Sequence, residues 1–392
     1  MKTLDEKLHI LKSNMESGKV KVMIIGLGSV GTYLLDYLLS SEDENLEICV
    51  VGRNEEKMLT DVNIVRVSSL IRNQNRSRVK IVGNVDLNDV AAVAECISGY
   101  RPDFIVNSSR AYPGLKYGSI SWKNIRAYGI WAPLAVKYIK NIMEAYEMAG
   151  SDAIVINTSY SDAVIPWLKS ANKAYPDFGS GNINHLIPRI RFAIAKKYQI
   201  EDFWNIDVTY ATSHFHDVVI SKEGHTERTG QLIGIRYGGK KLEPDMQEIF
   251  AMCRIPMPVD AKRNMMNASS NYEIIQGILC AIRSRTKVKL HCPGVFGEIG
   301  GYPVIIDGTG SQPRAYIDQE VFDLNTMRKK NRESIYLDGI LDVSEGTLYY
   351  TEELIEKIER AFGVSMMKKV GFGEIETAAQ LLITKIIEKY KE

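Results

Sequence analysis

Cysteines are few in this sequence and form no motif. The five present are scattered along the 392 residues without a CxxC pair: Cys49, Cys96, Cys253, Cys280 and Cys292. Most of them stand in apolar runs, where a cysteine behaves as a small core residue. This usage favours a reducing compartment, and we expect the protein to be cytoplasmic.

Long apolar runs and an excess of charge of one sign are also missing. No stretch approaches the roughly 20 apolar residues that a membrane-spanning helix needs. The 49 lysines and arginines nearly cancel the 48 aspartates and glutamates, and neither sign is concentrated in one segment. The segment 1–20 is polar and mixed in charge, unlike a secretory signal. We therefore expect neither a membrane nor a nucleic acid as partner.

A glycine-rich turn stands between an apolar strand and a helix near the N-terminus. The segment KVMIIGLGSVGTYLLDYLLS has Gly26, Gly28 and Gly31 in the spacing GxGxxG. The first two glycines permit a tight turn and close approach of the backbone, and the third lets the helix pack on the strand. The N–H groups at the start of the helix, around Ser29 and Val30, are suited to a pyrophosphate. The pattern predicts a dinucleotide site, and the alternative is a glycine turn in a domain that binds no nucleotide.

The next strand, LEICVVGRN, ends in Gly52, Arg53 and Asn54 instead of an acid. An acid at this place accepts hydrogen bonds from the adenosine ribose and would repel a 2′-phosphate. A glycine leaves room for that phosphate, and an arginine can pair with it through two hydrogen bonds. We therefore expect NADP as the cofactor, with NAD as the second choice. The alternative is that Arg53 stacks on the adenine or points into water.

Three further apolar strands alternate with helices, at 78–84, 103–109 and 153–159. Apolar strands in this order predict a parallel sheet covered by helices on both faces. Ligands of such sheets lie at the carboxyl ends of the strands. That rule places two polar segments beside the cofactor: Ser108, Ser109 and Arg110, and Asn157, Thr158 and Ser159.

The second half of the chain has the mixed pattern of an α+β domain. We expect strands in IDVTYATSHFHDVVI and QLIGIRYGG, helices near 246–254 and 267–284, and strand pairs in KVKLHCPGVFGEIGGYPVIIDG. The chain has six histidines, and two of them lie in the stretch SHFHD. If this stretch is a strand, His214 and His216 share one face and Asp217 lies on the other. One ring could then support the other.

The order of these landmarks resembles the lactate and malate dehydrogenase family over about residues 20–335. IIGLGSVG is similar to its glycine turn, IVNSSRAYPGL to its substrate-loop entrance, and GSGNINHLIPRIRFAIAKKYQI to its active-site helix. The resemblance implies that Asn157 contacts nicotinamide and substrate and that Arg189 clamps the substrate carboxylate. It also implies that His214 transfers the proton, with His216 beside it.

The chain departs from the family at the group that orients its histidine. The family has an aspartate three residues before the clamp arginine, where this chain has Leu186 with His185 next to it. We regard His185 and Asp162 as candidates for that role. The family's mobile loop supplies an arginine soon after a Pro-Gly pair, and the nearby cations here are Arg110, Lys116 and Arg126.

These features together predict an α/β protein of two domains. A Rossmann-type parallel sheet at 20–160 precedes an α+β, lactate/malate dehydrogenase-like catalytic domain at 161–392, which ends in a helical extension. The apolar faces of that extension must cover either the catalytic domain or a second subunit. We expect an NADP-preferring oxidoreductase, a homodimer or homotetramer, that transfers hydride to or from a small anionic metabolite.

A metal-assisted enzyme is one alternative that the sequence leaves open. In the NAD- and metal-dependent family 4 glycosidases, which share this ancestry, a metal histidine occupies a comparable place. His214, His216 and His185 could then be metal ligands. Those enzymes add a cysteine ligand where this chain has the segment 181–183, Gly-Asn-Ile, and we expect no metal.

Two further alternatives concern the same cofactor fold. RPDFIVNSS resembles a segment of short-chain reductases, whose chemistry needs a Tyr-x-x-x-Lys pair. Tyr160 is followed at the fourth position by Val164, so that pair is not at the expected place. The other alternative is a nucleotide sensor or scaffold that has kept the fold without turnover.

Overall fold

A helix precedes the parallel sheet of the N-terminal half. The computed structural model of the chain describes residues 2–41, 46–181 and 183–390, and α1 spans Leu4–Ser17. Lys7 of this helix lies 2.7 Å from the carboxylate of Asp177, and both side chains are buried. Asp177 also accepts the backbone N–H of Val155. The helix is thereby fixed to the edge of the sheet, although the sequence analysis began this domain at residue 20.

The N-terminal half contains the parallel sheet that the sequence predicts. Its strands are β1 (Lys21–Ile25), β2 (Glu47–Val51), β3 (Arg78–Val82), β4 (Phe104–Asn107), β5 (Ile154–Asn157) and β6 (Phe178–Gly179). They pair in parallel in the order β3-β2-β1-β4-β5-β6. The order reverses between β1 and β4, the place where open sheets of this kind bind ligands.

Helices cover both faces of this sheet. They are α2 (Ser29–Leu39), α3 (Glu55–Arg72), α4 (Val90–Tyr100), α5 (Gly114–Asn124), α6 (Ala132–Met148) and α7 (Ser161–Ser170). Alternate residues of β1 belong to different cores. Val22 and Ile24 pack in the core that contains α2 and α3, whereas Met23 and Ile25 pack in the core that contains α4 and α6. Burial on both faces explains the continuous apolar strands in the sequence.

The second half forms an antiparallel sheet with its own helices, as the α+β prediction requires. Its strands are β7 (Asp207–Thr212), β8 (Gln231–Tyr237), β9 (Lys240–Leu242), β10 (Lys287–Pro293), β11 (Gly301–Asp307) and β12 (Arg314–Ile317). They pair in the order β10-β11-β7-β8-β9, with β12 on β11. The helices are α8 (Ile183–Tyr198), α9 (His214–Glu223), α10 (Met246–Cys253), α11 (Asn264–Ser284) and α12 (Leu324–Leu337).

The prediction that SHFHD continues a strand was wrong. Strand β7 ends at Thr212, and α9 begins at His214. Two tertiary contacts terminate the strand, because the Ser213 N–H is bound by the Ser334 hydroxyl and the His214 N–H by a carboxylate oxygen of Asp162. Side chains of the segment therefore follow helical periodicity rather than strand alternation.

The C-terminal segment covers the N-terminal half of the same chain. It comprises β13 (Ile340–Ser344), β14 (Thr347–Tyr350), α13 (Glu352–Phe362), β15 (Lys369–Gly371) and α14 (Ile375–Leu382). Ile340 and Leu348 share a core with Ile139 of α6 and Trp167 of α7. The Trp167 indole also donates a hydrogen bond to the Gly346 carbonyl. The extension is thus packed on the N-terminal half.

Candidate active site

A cavity of about 730 Å³ runs along the carboxyl ends of β1, β4 and β5. One end is lined by the glycine turn and the residues that follow β2. The other end is lined by His214, His185 and Asp217, with Arg263 from the start of α11. The volume is in the range of cofactor and substrate sites.

The glycine turn has the backbone geometry of a dinucleotide cradle. Gly26 has a φ of +91°, and a Cβ there would lie 2.9 Å from the Cα of Ser109. A Cβ on Gly31 would lie 2.3 Å from the Gly26 carbonyl oxygen, so these two positions need glycine for internal reasons. A Cβ on Gly28 would meet no atom within 4 Å, and Gly28 lines the cavity. The open space beside Gly28 suits the close approach of a ligand.

The remaining predicted cofactor residues surround this turn. Ser29 and Val30 begin α2 and line the cavity, so the free N–H groups of that helix face the open space. Ser29 also accepts a hydrogen bond of 2.6 Å from Asn264 of α11. Ser108 donates to the Gly26 carbonyl oxygen at 2.6 Å, and Ser109 lines the cavity beside it. The residues present therefore fit a nicotinamide dinucleotide.

The segment after β2 lines the same end of the cavity. Asn54 caps α3 by accepting the Lys57 N–H at 2.8 Å. A Cβ on Gly52 would lie 2.8 Å from the sulfur of Met58, so this position has little room for a side chain. Arg53 is exposed, and within the described residues its guanidinium has neither an ion pair nor a hydrogen bond. Its charge is available to a ligand.

Asn157 lies beside this cavity without lining it. Its side chain is fully buried, donating to the Ser159 carbonyl oxygen at 2.9 Å and to the Ser161 hydroxyl at 3.0 Å. Its amide oxygen accepts from the Asn107 side chain at 2.9 Å. These bonds use its polar atoms to join the ends of β4 and β5. The structure therefore gives Asn157 a supporting position instead of the predicted contact with nicotinamide.

His214 lies on the cavity side of α9. Its Nδ1 atom lies 3.0 Å from a carboxylate oxygen of Asp338, and the side chain is 14% exposed. The edges of Tyr128 and Tyr160 stand against the ring, with centroids 4.8 and 5.3 Å away. Since Nδ1 is bound to Asp338, Nε2 is the ring nitrogen left for a ligand. Burial alone would lower the pKa of His214, but the charge of Asp338 and of other carboxylates nearby raises it.

His216 points to the opposite side of α9, into the protein. Its Nδ1 atom lies 2.6 Å from the Thr226 hydroxyl, which itself donates to Glu227 at 3.1 Å. Because a hydroxyl has one proton, His216 is the donor in the first of these bonds. Burial lowers the pKa of His216 to about 4. The two rings therefore have different partners, and the expected mutual support does not occur.

His185 and Asp217 form a second histidine–carboxylate pair at the cavity. Nδ1 of His185 lies 3.7 Å from a carboxylate oxygen of Asp217, and both residues line the cavity. The strand interpretation had turned Asp217 away from His214, whereas on the helix the two residues are three apart and share a face. Asp162, the other candidate for orienting the histidine, binds the backbone N–H of His214 instead of its ring.

Arg189 is buried and does not line the cavity. It is 3% exposed, and its guanidinium donates to the Cys253 carbonyl oxygen at 2.9 Å and contacts the sulfur of Met257. Burial lowers the pKa of Arg189. In this structure it therefore joins α8 to α10, which does not agree with the predicted contact to substrate.

Besides Arg53, the arginines that line the cavity are Arg263 and Arg110. Arg263 has no ion pair within the described residues. It lies outside the motifs that carry the resemblance, so no pattern in the sequence marked it. Of the predicted loop cations, Arg126 is engaged elsewhere, with Glu223 at 2.7 Å and Glu227 at 3.1 Å. Lys116 stands over the ring of Tyr112.

The described residues bear on the expectations about a metal and a membrane. They contain no group of three or more His, Cys, Asp or Glu side chains placed to hold a metal ion. Asn182, in the segment where family 4 glycosidases have their cysteine, lies outside those residues. None of the described helices has the length and apolarity to cross a membrane.

Comparison with known proteins reveals the fold. No protein-family model matches the chain, and no curated protein matches it in sequence. Among solved structures, the malate dehydrogenase of Cryptosporidium parvum superposes with a TM-score of 0.54 at 14% identity, covering 82% of this chain and 98% of that one. The malate dehydrogenase of Aeropyrum pernix gives 0.50 at 14%, covering 81% and 97%. The chain has a malate dehydrogenase-like fold. At an identity of 14% the superposition shows the architecture alone. The activity must be argued from the residues of the site.

Proposed function

We propose that the protein is an NAD(P)-dependent oxidoreductase that transfers hydride to or from the carbonyl or alcohol carbon of a small anionic metabolite. The observation that carries this proposal is the single cavity that joins the glycine turn to His214. A dinucleotide whose pyrophosphate lies on the N-terminus of α2 is held at one end of the cavity. The carbon that exchanges hydride then lies toward the other end, where a proton-transfer group is available.

We call the part of the cavity lined by the glycine turn and the segment 52–54 the cofactor end. In this proposal it binds NADP in preference to NAD. When bound, a nicotinamide dinucleotide supplies the hydride or accepts it. Arg53, exposed and without an ion partner in the described part of the chain, can pair with a 2′-phosphate. The backbone at Gly28 leaves room for the pyrophosphate, since even a Cβ there would meet no atom.

His214 serves as the acid and base. In the direction of oxidation its neutral Nε2 accepts the hydroxyl proton of the substrate, and in the direction of reduction the protonated ring donates to the carbonyl oxygen. The charge of Asp338 raises the pKa of His214, which favours the protonated ring that reduction needs. Reduction should therefore slow as the pH rises through that pKa, because the proton donor is lost.

Arg263 is the cation proposed for the anionic group of the substrate. It lines the histidine end of the cavity and has no ion pair within the described residues. Its planar guanidinium can bind a carboxylate through two parallel hydrogen bonds. In this proposal Arg263 takes the role that the sequence assigned to Arg189.

A screen of small carbonyl acids with NADPH and NADH, followed by the absorbance of the reduced nicotinamide, tests this function. We expect oxidation of NADPH with at least one acid and loss of that activity in His214→Asn. Tight binding of NADPH without turnover of any compound would favour the sensor or scaffold. Activity that is removed by a chelator and restored by a divalent metal would favour the metal-assisted enzyme.

A further inference from the structure

We infer that Asp338 is the positioning residue for His214, so that the C-terminal segment 338–390 completes the proton-transfer site. This inference rests on the proposed function and deepens it. Asp338 lies on the turn between α12 and β13, 124 residues from its partner in sequence. It lies in the part of the chain beyond the resemblance to lactate and malate dehydrogenases, which ends near residue 335.

The carboxylate of Asp338 is fully buried and accepts hydrogen bonds at both oxygens. One oxygen accepts the Tyr128 backbone N–H at 2.6 Å. The other accepts the Tyr160 hydroxyl at 2.7 Å and lies 3.0 Å from Nδ1 of His214. Burial, and then the charge of Asp338, holds the pKa of Tyr160 well above its ordinary value, so the phenol keeps its proton and donates. A buried carboxylate with such partners is satisfied only by donors.

These bonds determine which ring nitrogen carries the proton. Nδ1 of His214 must be the N–H that donates to Asp338, so Nε2 of the neutral ring has the lone pair. That nitrogen is the one left for the cavity, as a general base requires. When Nε2 takes up a proton, the carboxylate stabilises the charged ring without touching the substrate. Asp338 thus acts through His214.

The turn that holds Asp338 is fixed from two sides. Its carbonyl oxygen accepts the Gly129 N–H at 2.8 Å, which ties it to the N-terminal half. Gly339 has a φ of +90°, and a Cβ there would lie 2.5 Å from a side-chain carbon of Leu354 in α13. The Gly339 carbonyl oxygen also accepts the Thr351 N–H at 3.0 Å. The packing of α13 and its cap therefore determines where the carboxylate lies.

Several other groups act on the ring and must be kept constant in a test. The charged or titratable side chains that face His214 besides Asp338 are Tyr128, Tyr160, Asp162 and Asp217. Asp342 offers a matched control, because it is an aspartate of the same segment that pairs with Arg332 at 2.8 Å on the surface. Its removal leaves every contact of His214 in place.

The test is a titration of the full-length protein labelled with ¹⁵N-histidine, followed by nuclear magnetic resonance and assigned with His214→Asn. In the wild-type protein we expect His214 to show the Nδ1–H form. In Asp338→Asn we expect its pKa to fall by about one unit or more, since an opposite charge at this distance has that effect. Asp342→Asn should titrate as wild type. Identical His214 titrations in Asp338→Asn and wild type would overturn the inference.

Turnover measured beside the titration separates this inference from the proposed function. If the protein turns over a carbonyl acid with NADPH but Asp338→Asn matches Asp342→Asn in rate and titration, the inference fails and the function stands. If His214 shifts as expected but no acid is turned over, the function fails and the positioning role stands. Should Asp338→Asn not fold, Tyr160→Phe replaces it: loss of the competing donor should raise the pKa of His214, and an unchanged titration overturns the inference.

Discussion

The two ends of the cavity are built in different ways. The cofactor end comes mainly from one strand–helix–strand unit, with the glycine turn at 26–31 and the segment 52–54, and Ser108 and Ser109 after β4 complete it. The histidine end is assembled from six separate places in the chain: 128, 160–162, 185, 214–217, 263 and 338. A change at the cofactor end should therefore act locally on the nucleotide. A change at the histidine end should alter proton transfer while nucleotide binding persists.

The same contrast appears within α9. His214 and His216 lie two residues apart, yet one faces the cavity beside a carboxylate and the other faces a buried hydroxyl. The pKa of His214 is raised by neighbouring charge, and the pKa of His216 is lowered to about 4 by burial. The surroundings, more than the residue type, decide which ring can exchange protons near neutral pH.

The largest effect should come from His214→Asn. We expect hydride transfer with the substrate found in the screen to fall about 100-fold or more, because the acid and base is lost. NADPH affinity, measured by fluorescence titration, should remain near that of wild type. His225→Asn, at an exposed histidine after α9, is the matched control and should keep full activity. If His214→Asn keeps the full rate of hydride transfer, His214 is not the acid and base.

At the cofactor end, Arg53→Ala should weaken NADPH binding about thirtyfold and leave NADH binding nearly unchanged. The variant loses a charged, bidentate contact to the 2′-phosphate, which contributes about 2 kcal/mol of binding free energy. Arg66→Ala, at an exposed arginine of α3 that does not line the cavity, is the control. An equal fall in affinity for NADPH and NADH would show that Arg53 does not contact the 2′-phosphate.

A smaller effect is expected at the substrate cation. Arg263→Gln should lower kcat/KM about tenfold, mainly through KM, because one charged contact to the substrate anion is lost. Arg189→Lys should lower the free energy of unfolding and leave kcat/KM close to wild type, since Arg189 is bound to Cys253 and does not line the cavity. A large fall of kcat/KM in Arg189→Lys with no change in Arg263→Gln would instead make Arg189 the substrate contact.

The smallest effect concerns His216 and the stability of the fold. Its pKa is about 4 in the folded protein and near 6.5 when unfolded, so below pH 6.5 the unfolded chain binds a proton first. The contribution is therefore present above pH 6.5 and is lost as the pH falls toward 4. Between pH 7 and 5 it amounts to about 2 kcal/mol.

Urea unfolding of wild type and His216→Asn at pH 7 and pH 5 measures this loss. Asparagine can keep the hydrogen bond to Thr226 without a group that titrates here. The variant should lose less stability than wild type on going to pH 5, while His291, whose pKa burial lowers to about 3, contributes in both proteins. An equal loss in the two proteins would contradict the buried, neutral state of His216.

Local sequence predicted the strand, glycine turn and helix at 21–39 because the determinants of these elements are contiguous. The parallel sheet with helices on both faces followed from continuous apolar strands that alternate with helices. The histidine end was harder because distant contacts decide it. SHFHD follows an apolar strand and alternates like one, but bonds from Asp162 and Ser334 end the strand and start a helix. No local pattern marked Asp338, since a buried carboxylate on a turn resembles any other turn residue.

The most direct test of a continuous site uses the cofactor itself as a charge near His214. Oxidised nicotinamide is positively charged and the reduced ring is neutral, so NADP⁺ should lower the pKa of His214 relative to NADPH if the two ends meet. We therefore titrate the ¹⁵N-histidine signals of the full-length protein saturated with each form. We expect a lower pKa of His214 with NADP⁺ than with NADPH, and the same titration of the exposed His225 with both forms. Identical His214 titrations with NADP⁺, with NADPH and without nucleotide would contradict it.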